Sequence, residues 1–157
     1  QGAEVVNGHL VPTTDPDFDL PPGTWEYVGF ADVGKRKELM AHAIATFTPT
    51  EYLETFGGTH VESMLSGTPP ITTNFGVYPG TIPDSENGKV GFRCNTLNDF
   101  VEAAKNATKV KPSYVRKYAE RFLMDRVAQD YQKWFQDLYR VYLSTDEKTP
   151  GWHYIEK

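Results

Sequence analysis

The sequence predicts an α/β domain with a parallel sheet flanked by helices and closed by further helices at the C-terminus. Three observations carry that expectation. Short apolar runs alternate with amphipathic stretches from Trp25 to Thr108, the order that builds a parallel sheet with helices on both faces. Strand and helix alternate through that stretch, which predicts right-handed crossovers. From Pro112 to Leu143 the chain reads as helix alone.

Each element has its own signal. The first 23 residues are interrupted by Pro12, Pro16, Pro21, Pro22 and Gly23, so they read as irregular apart from a short strand at Ala3–Val6. Residues 1–24 are therefore expected to complete a domain spanning 25–143, with 144–157 as an aperiodic tail. Trp25 to Phe30 reads as a strand, rich in aromatic and branched side chains. Gly34–His42 reads as a helix with Leu39, Met40 and Ala43 on its apolar side. Ala43 to Pro49 is a short apolar run closed by proline, the pattern of a buried parallel strand. Thr59–Ser66 reads as a helix stopped by Gly67. Pro69–Thr73 and Val90–Cys94 read as strands, with a long loop between them from Asn74 to Lys89. Leu97–Thr108 carries Leu97, Phe100, Val101 and Ala104 at helical spacing. A helix from Pro112 to about Phe122 follows. A longer one from Asp125 to Leu143 presents Val127, Tyr131, Trp134, Phe135, Leu138 and Tyr142 on one face.

Composition narrows the function. The chain has 157 residues, 39% hydrophobic and 24% charged, which fits one globular domain or half of a larger enzyme. Its net charge of −5 disfavours a nucleic-acid partner. No apolar run is long enough to span a bilayer, and no signal-peptide pattern is read at the N-terminus. Cys94 is the only cysteine. It permits no internal disulfide and no thiolate zinc site, and it fits a reducing, cytoplasmic compartment. Its place in a strand pattern predicts a packed, inert thiol. Asp15-Pro16-Asp17 lies in a proline-rich loop and is not read as a metal site.

In α/β sheets ligands bind beyond the carboxyl ends of the strands, where the Thr50–Gly58 and Asn74–Lys89 loops lie. The first loop carries Glu54, then Phe56-Gly57-Gly58 and Thr59 at a helix start, then Glu62. A glycine pair lets a ligand approach free backbone N–H groups. The helix N-terminus adds positive potential that suits a phosphate or diphosphate. Carboxylates accept hydrogen bonds from sugar hydroxyls. Glu54 on the loop and Glu62 one turn into the helix thus suit a ligand with hydroxyls at both ends and a diphosphate between, which describes a nucleotide sugar. Against this stands a plainer possibility. Glycine before a helix is common, and acidic residues near helix N-termini often only complement the dipole.

The same stretch resembles a known family. Pro49-Thr50, Glu54-Thr-Phe56-Gly57, Glu62-Ser63 and Gly67-Thr68-Pro69-Pro70 are similar to the Glu-x7-Glu signature of retaining nucleotide-sugar glycosyltransferases, the large group called family four. Those enzymes have two Rossmann-like domains, the GT-B architecture, and the likeness is to the C-terminal one. Val28-Gly29-Phe30, Asn87-Gly88-Lys-Val-Gly91-Phe92, Tyr118-Ala-Glu-Arg121-Phe122 and Tyr131–Tyr142 resemble further parts of that domain, so the likeness covers about Trp25 to Tyr142. It implies a Rossmann-like half of a GT-B fold in a fragment of a longer enzyme, inactive alone. The implied reaction moves a sugar from a nucleoside diphosphate sugar to an acceptor hydroxyl with retention, without a metal or a cofactor beyond the donor itself. Glu54 would contact donor-sugar hydroxyls near the reacting centre. Phe56, Gly57, Gly58 and Thr59 would offer backbone N–H groups to sugar and diphosphate. Glu62 would bind the ribose, and the Asn74-Phe75-Gly76 loop would flank the site. The implied partners are the nucleotide sugar, an acceptor glycan, lipid or protein, and the N-terminal Rossmann domain of the parent enzyme.

Two other functions stand beside this one: a non-catalytic α/β module that binds a nucleotide or a protein, and a nucleotide-sugar epimerase of the same architecture. His60, inside the signature, is read as structural rather than catalytic. Lys35-Arg36-Lys37 reads as a solvated helix face, with a membrane surface left open because many such enzymes act on lipid-linked acceptors. Trp134, Phe135, Tyr139 and Tyr142 could form a stacking platform for nucleic acid or sugars, but at helical spacing they are read as core, or as the packing face for a partner domain. In the second case the chain alone is expected to self-associate.

Overall fold

The computed structural model describes residues 28–143, together with the backbone of 3–6 and 9–12. The chain divides into two compact units, residues 1–39 and 40–157.

In the first unit β1 (Ala3–Val6) pairs antiparallel with β2 (His9–Pro12), Ala3 opposite Pro12 and Val6 opposite His9. The second strand was not expected. Asn7-Gly8 between two apolar runs is the sequence signal for a two-residue hairpin connection. The strand expected at Trp25–Phe30 needs correction over its described half. Val28, Gly29 and Phe30 lie in no strand. Gly29 adopts φ +66°, a left-handed turn that ends any extended run. Trp25–Tyr27 and the tail 144–157 lie outside the described residues. Helix α1 (Val33–His42) begins after Asp32, whose side chain accepts the Lys35 N–H at 2.8 Å.

The second unit runs β3 (Thr46–Thr48), α2 (Gly58–Leu65), β4 (Pro70–Thr73), α3 (Tyr78–Thr81), β5 (Phe92–Cys94), α4 (Leu97–Ala107), α5 (Pro112–Ala119), a 3-10 turn at Glu120–Phe122 and α6 (Met124–Leu143). The three strands form one parallel sheet in the order β3-β4-β5. Phe47, Ile71 and Phe92 are register partners and share a face. Phe47 stacks on Phe100 of α4, and Ile71 and Cys94 pack with Ala103 of α4. On the opposite face Thr46 Oγ1 lies 2.7 Å from Ser63 Oγ of α2. Helices therefore cover both faces, and the α/β expectation holds.

α2 ends where the sequence says it should. Gly67 takes φ +86°, while Thr68 N–H donates to Ser63 O and Gly67 N–H to Met64 O, the paired bonds of a Schellman stop. The helix buries His60, Val61, Ser63 and Met64. Val61 and Met64 join Ile82, Val90, Val115, Tyr118 and Ala119 in the larger core cluster.

Three expectations are corrected here. Among the described residues β3 lies at the edge of the sheet, and Phe47 remains 54% exposed rather than buried. The Asn74–Lys89 loop contains the short helix α3, whose Pro79 sits in the first turn, where no N–H is needed. Helix α4 buries Ala103 and Ala107 with Phe100 half-buried, while Leu97, Val101 and Ala104 are exposed. Its start is set by a capping box. Asp99 N–H donates to Thr96 Oγ1 and Thr96 N–H returns to Asp99 Oδ2. The face of α4 toward the sheet is made by Phe100, Ala103 and Ala107 rather than by Leu97, Val101 and Ala104.

Candidate functional site

Glu54 stands on the loop that leaves the carboxyl end of β3. Its Oε1 accepts backbone N–H groups from Thr55 (3.1 Å), Phe56 (3.4 Å) and Gly57 (3.0 Å). Its Oε2 accepts the hydroxyl of Tyr52. The Tyr52 hydrogen bond is the main cause holding the Glu54 carboxyl below its ordinary range, and the three backbone donors act in the same direction. Glu54 is thus a fixed carboxylate whose orientation is set by its own loop.

Gly57 follows at φ +66°, ψ +64° as the residue before α2. Only glycine enters this left-handed region without strain, and here space forbids a side chain as well. A Cβ on Gly57 would meet His60 Nδ1 at 2.6 Å. The turn aims the first turn of α2 outward, and no side chain caps it. Helix geometry leaves the N–H groups of Gly58 and Thr59 without intrahelical partners. Gly58, Thr59 and Glu62 are exposed, and Glu62 follows the first two by four and three residues, so it lies on the same side of the helix. Glu54 and Glu62 therefore border the same helix N-terminus. Glu54 reaches it through Gly57, and Glu62 stands one turn above Gly58.

The two loops expected to carry chemistry are brought together. Val77 N–H donates to Glu54 O at 2.9 Å. Gly76, at φ +66°, lies so close that a Cβ there would stand 2.9 Å from Glu54 O. Asn74 is tied down beside them, accepting from Arg93 Nη1 at 2.7 Å and donating to Asn95 Oδ1 at 3.1 Å. Arg93 also pairs with Asp84.

The sequence-based expectations meet this geometry unevenly. The N–H groups of Phe56 and Gly57 are engaged by Glu54, whereas Gly58 and Thr59, in the first turn of α2, are exposed along with Glu62. The Phe56 ring is half-exposed and meets Phe122 edge-on at 6.5 Å. Tyr52, which holds Glu54, was missed because nothing in its spacing marks it. His60 is 1% exposed and stacks edge-on against Tyr78 at 5.0 Å. Cys94 is buried, and burial pushes its thiol up to about 11, as an inert packed thiol requires. Among the described residues no three metal-ligating side chains are grouped. No described helix is long and apolar enough to cross a membrane.

Residues 22–122, well over half of the chain, match the family described as glycosyl transferases group 1. The chain belongs to that family. The match takes in the whole Glu54–Glu62 segment, the sheet and the core helices, and it stops before α6. No match was found among curated proteins. A glycosyl transferase carries a sugar from a donor to an acceptor.

Proposed function

We propose that this domain binds a nucleoside diphosphate sugar and belongs to a retaining transferase that passes the sugar to an acceptor hydroxyl. The observation that carries the reading is the α2 N-terminus, uncapped and bordered by Glu54 and Glu62. In that reading the Gly58 and Thr59 N–H groups and the helix dipole receive the diphosphate. Glu62 accepts from the ribose and Glu54 from hydroxyls of the sugar. A carboxylate with its protein bonds already in place needs no reorganisation when charge builds on the sugar and the diphosphate leaves.

The pattern of bonds on Glu54 supports a role near the reacting centre. Oε1 is occupied by three donors, but Oε2 carries only the exposed Tyr52 hydroxyl and keeps room for a sugar hydroxyl. A cytoplasmic site of action and an N-terminal partner domain belong to the same reading. The test is made in the full parent enzyme. Glu54→Gln lowers turnover by about 100-fold, and Glu62→Gln weakens apparent donor affinity by about tenfold, the loss of one charged hydrogen bond. Full activity in both variants rejects the assignment.

A further inference from the structure

We propose that His60 is the positioning residue of this site: its imidazole holds the donor-binding turn in place from beneath. The proposal rests on the reading that the α2 N-terminus receives the donor. It goes further by naming what sets the geometry of that terminus.

Three contacts define the role. His60 Nε2 lies 2.8 Å from Thr81 Oγ1 in α3, so the ring is anchored on the second loop. Its face meets Tyr78, also in α3, whose hydroxyl lies 3.2 Å from Thr50 Oγ1 at the end of β3. Its other edge fills the space where a Gly57 side chain would stand, with Nδ1 nearest to that position. One side chain thus spans from α3 to the left-handed turn. The segment it leans on also donates Val77 N–H to Glu54 O. Moving the ring moves Gly57, and Gly57 carries both a bond to Glu54 and the first turn of α2.

A plain filler of the same pocket would be replaceable by any side chain of similar size. A positioning residue needs the Thr81 bond. Leucine occupies much of the imidazole volume without that bond, while the glutamine amide reaches as far as Nε2 and keeps it.

The experiment uses the full parent enzyme with UDP-glucose, GDP-mannose and ADP-glucose as probes, read by calorimetry, and amide hydrogen exchange at Thr55–Thr59. His60→Leu and Thr81→Val are each expected to raise exchange at Gly57–Thr59 and to weaken the bound sugar nucleotide by about tenfold. His60→Gln is expected to stay within about threefold of the unaltered enzyme. If His60→Leu does not fold, Thr81→Val decides by the same readings. Unchanged exchange and affinity in the folded variants overturns the proposal. If the unaltered enzyme binds none of the three probes, the donor reading fails separately. The exchange measurement then decides the His60 role alone: increased exchange upholds it and unchanged exchange rejects it.

Discussion

Glu54 and His60 lie on either side of Gly57, and the fold keeps the first ionised and the second neutral. Four donors keep Glu54 ionised. Burial keeps His60 neutral, bringing its imidazole down to about 4 from an ordinary 6.5, with the Gly57 carbonyl and the Glu54 charge only partly offsetting it. Between pH 6.5 and 4 the unfolded chain takes up a proton at this residue and the folded chain does not. Stability therefore falls as the pH drops through that window. From pH 7 to pH 5 the loss attributable to His60 is about 2 kcal/mol. Glu54 acts lower. Its depressed value adds stability above the ordinary carboxyl range, and that stability is lost as the pH falls through the folded value. Urea unfolding at pH 7 and pH 5 checks the His60 share. His60→Gln should flatten the pH dependence by roughly that amount, and the same slope in both proteins would show that the imidazole is not protected from protonation.

Among the elements, α6 is the one whose sequence promised more packing than the unit supplies. It runs 20 residues and buries none of them. Its polar side is laced by Lys133 and Arg140 on Asp137 at 2.7 and 3.1 Å. Its other side carries Tyr131, Trp134, Phe135, Tyr139 and Tyr142, all exposed, in contact chiefly with each other. A stripe of this kind is stable in water only when covered. The 157-residue chain produced alone is expected to self-associate, with a sedimentation coefficient that rises with concentration. Trp134→Glu combined with Phe135→Glu should restore a monomer. A chain that sediments as a monomer at all concentrations contradicts this. Periodicity revealed the stripe but not its partner, because spacing reports which residues share a face and says nothing of what lies opposite. The same limit explains α4. Leu97, Phe100, Val101 and Ala104 are spaced as one face, yet only Phe100 of them packs on the sheet, beside the buried Ala103 and Ala107. Stops and starts were more legible. Gly67 ends α2 and Pro112 opens α5, each through backbone chemistry that depends on one residue type.

For the molecule as a whole, the alternation of strand and helix was enough to foresee a parallel sheet covered on both faces, and the family match agrees with it. Local pattern also found the Glu54–Glu62 segment, because glycines at a helix start have a direct mechanical meaning. It did not find how the segment is held. Tyr52, Thr81 and the Val77 N–H act on Glu54, Gly57 and His60 across turns and across separate loops, and such contacts leave no periodic trace. The central claim is that an activated sugar sits on the exposed start of α2. Amide hydrogen exchange of the full-length protein, with and without saturating UDP-glucose, GDP-mannose or ADP-glucose, tests it most directly. The account predicts that at least one of them slows exchange at Gly58 and Thr59 more than elsewhere in the domain. A sugar nucleotide that binds while leaving those two amides unchanged, or the failure of all three to bind, would contradict it.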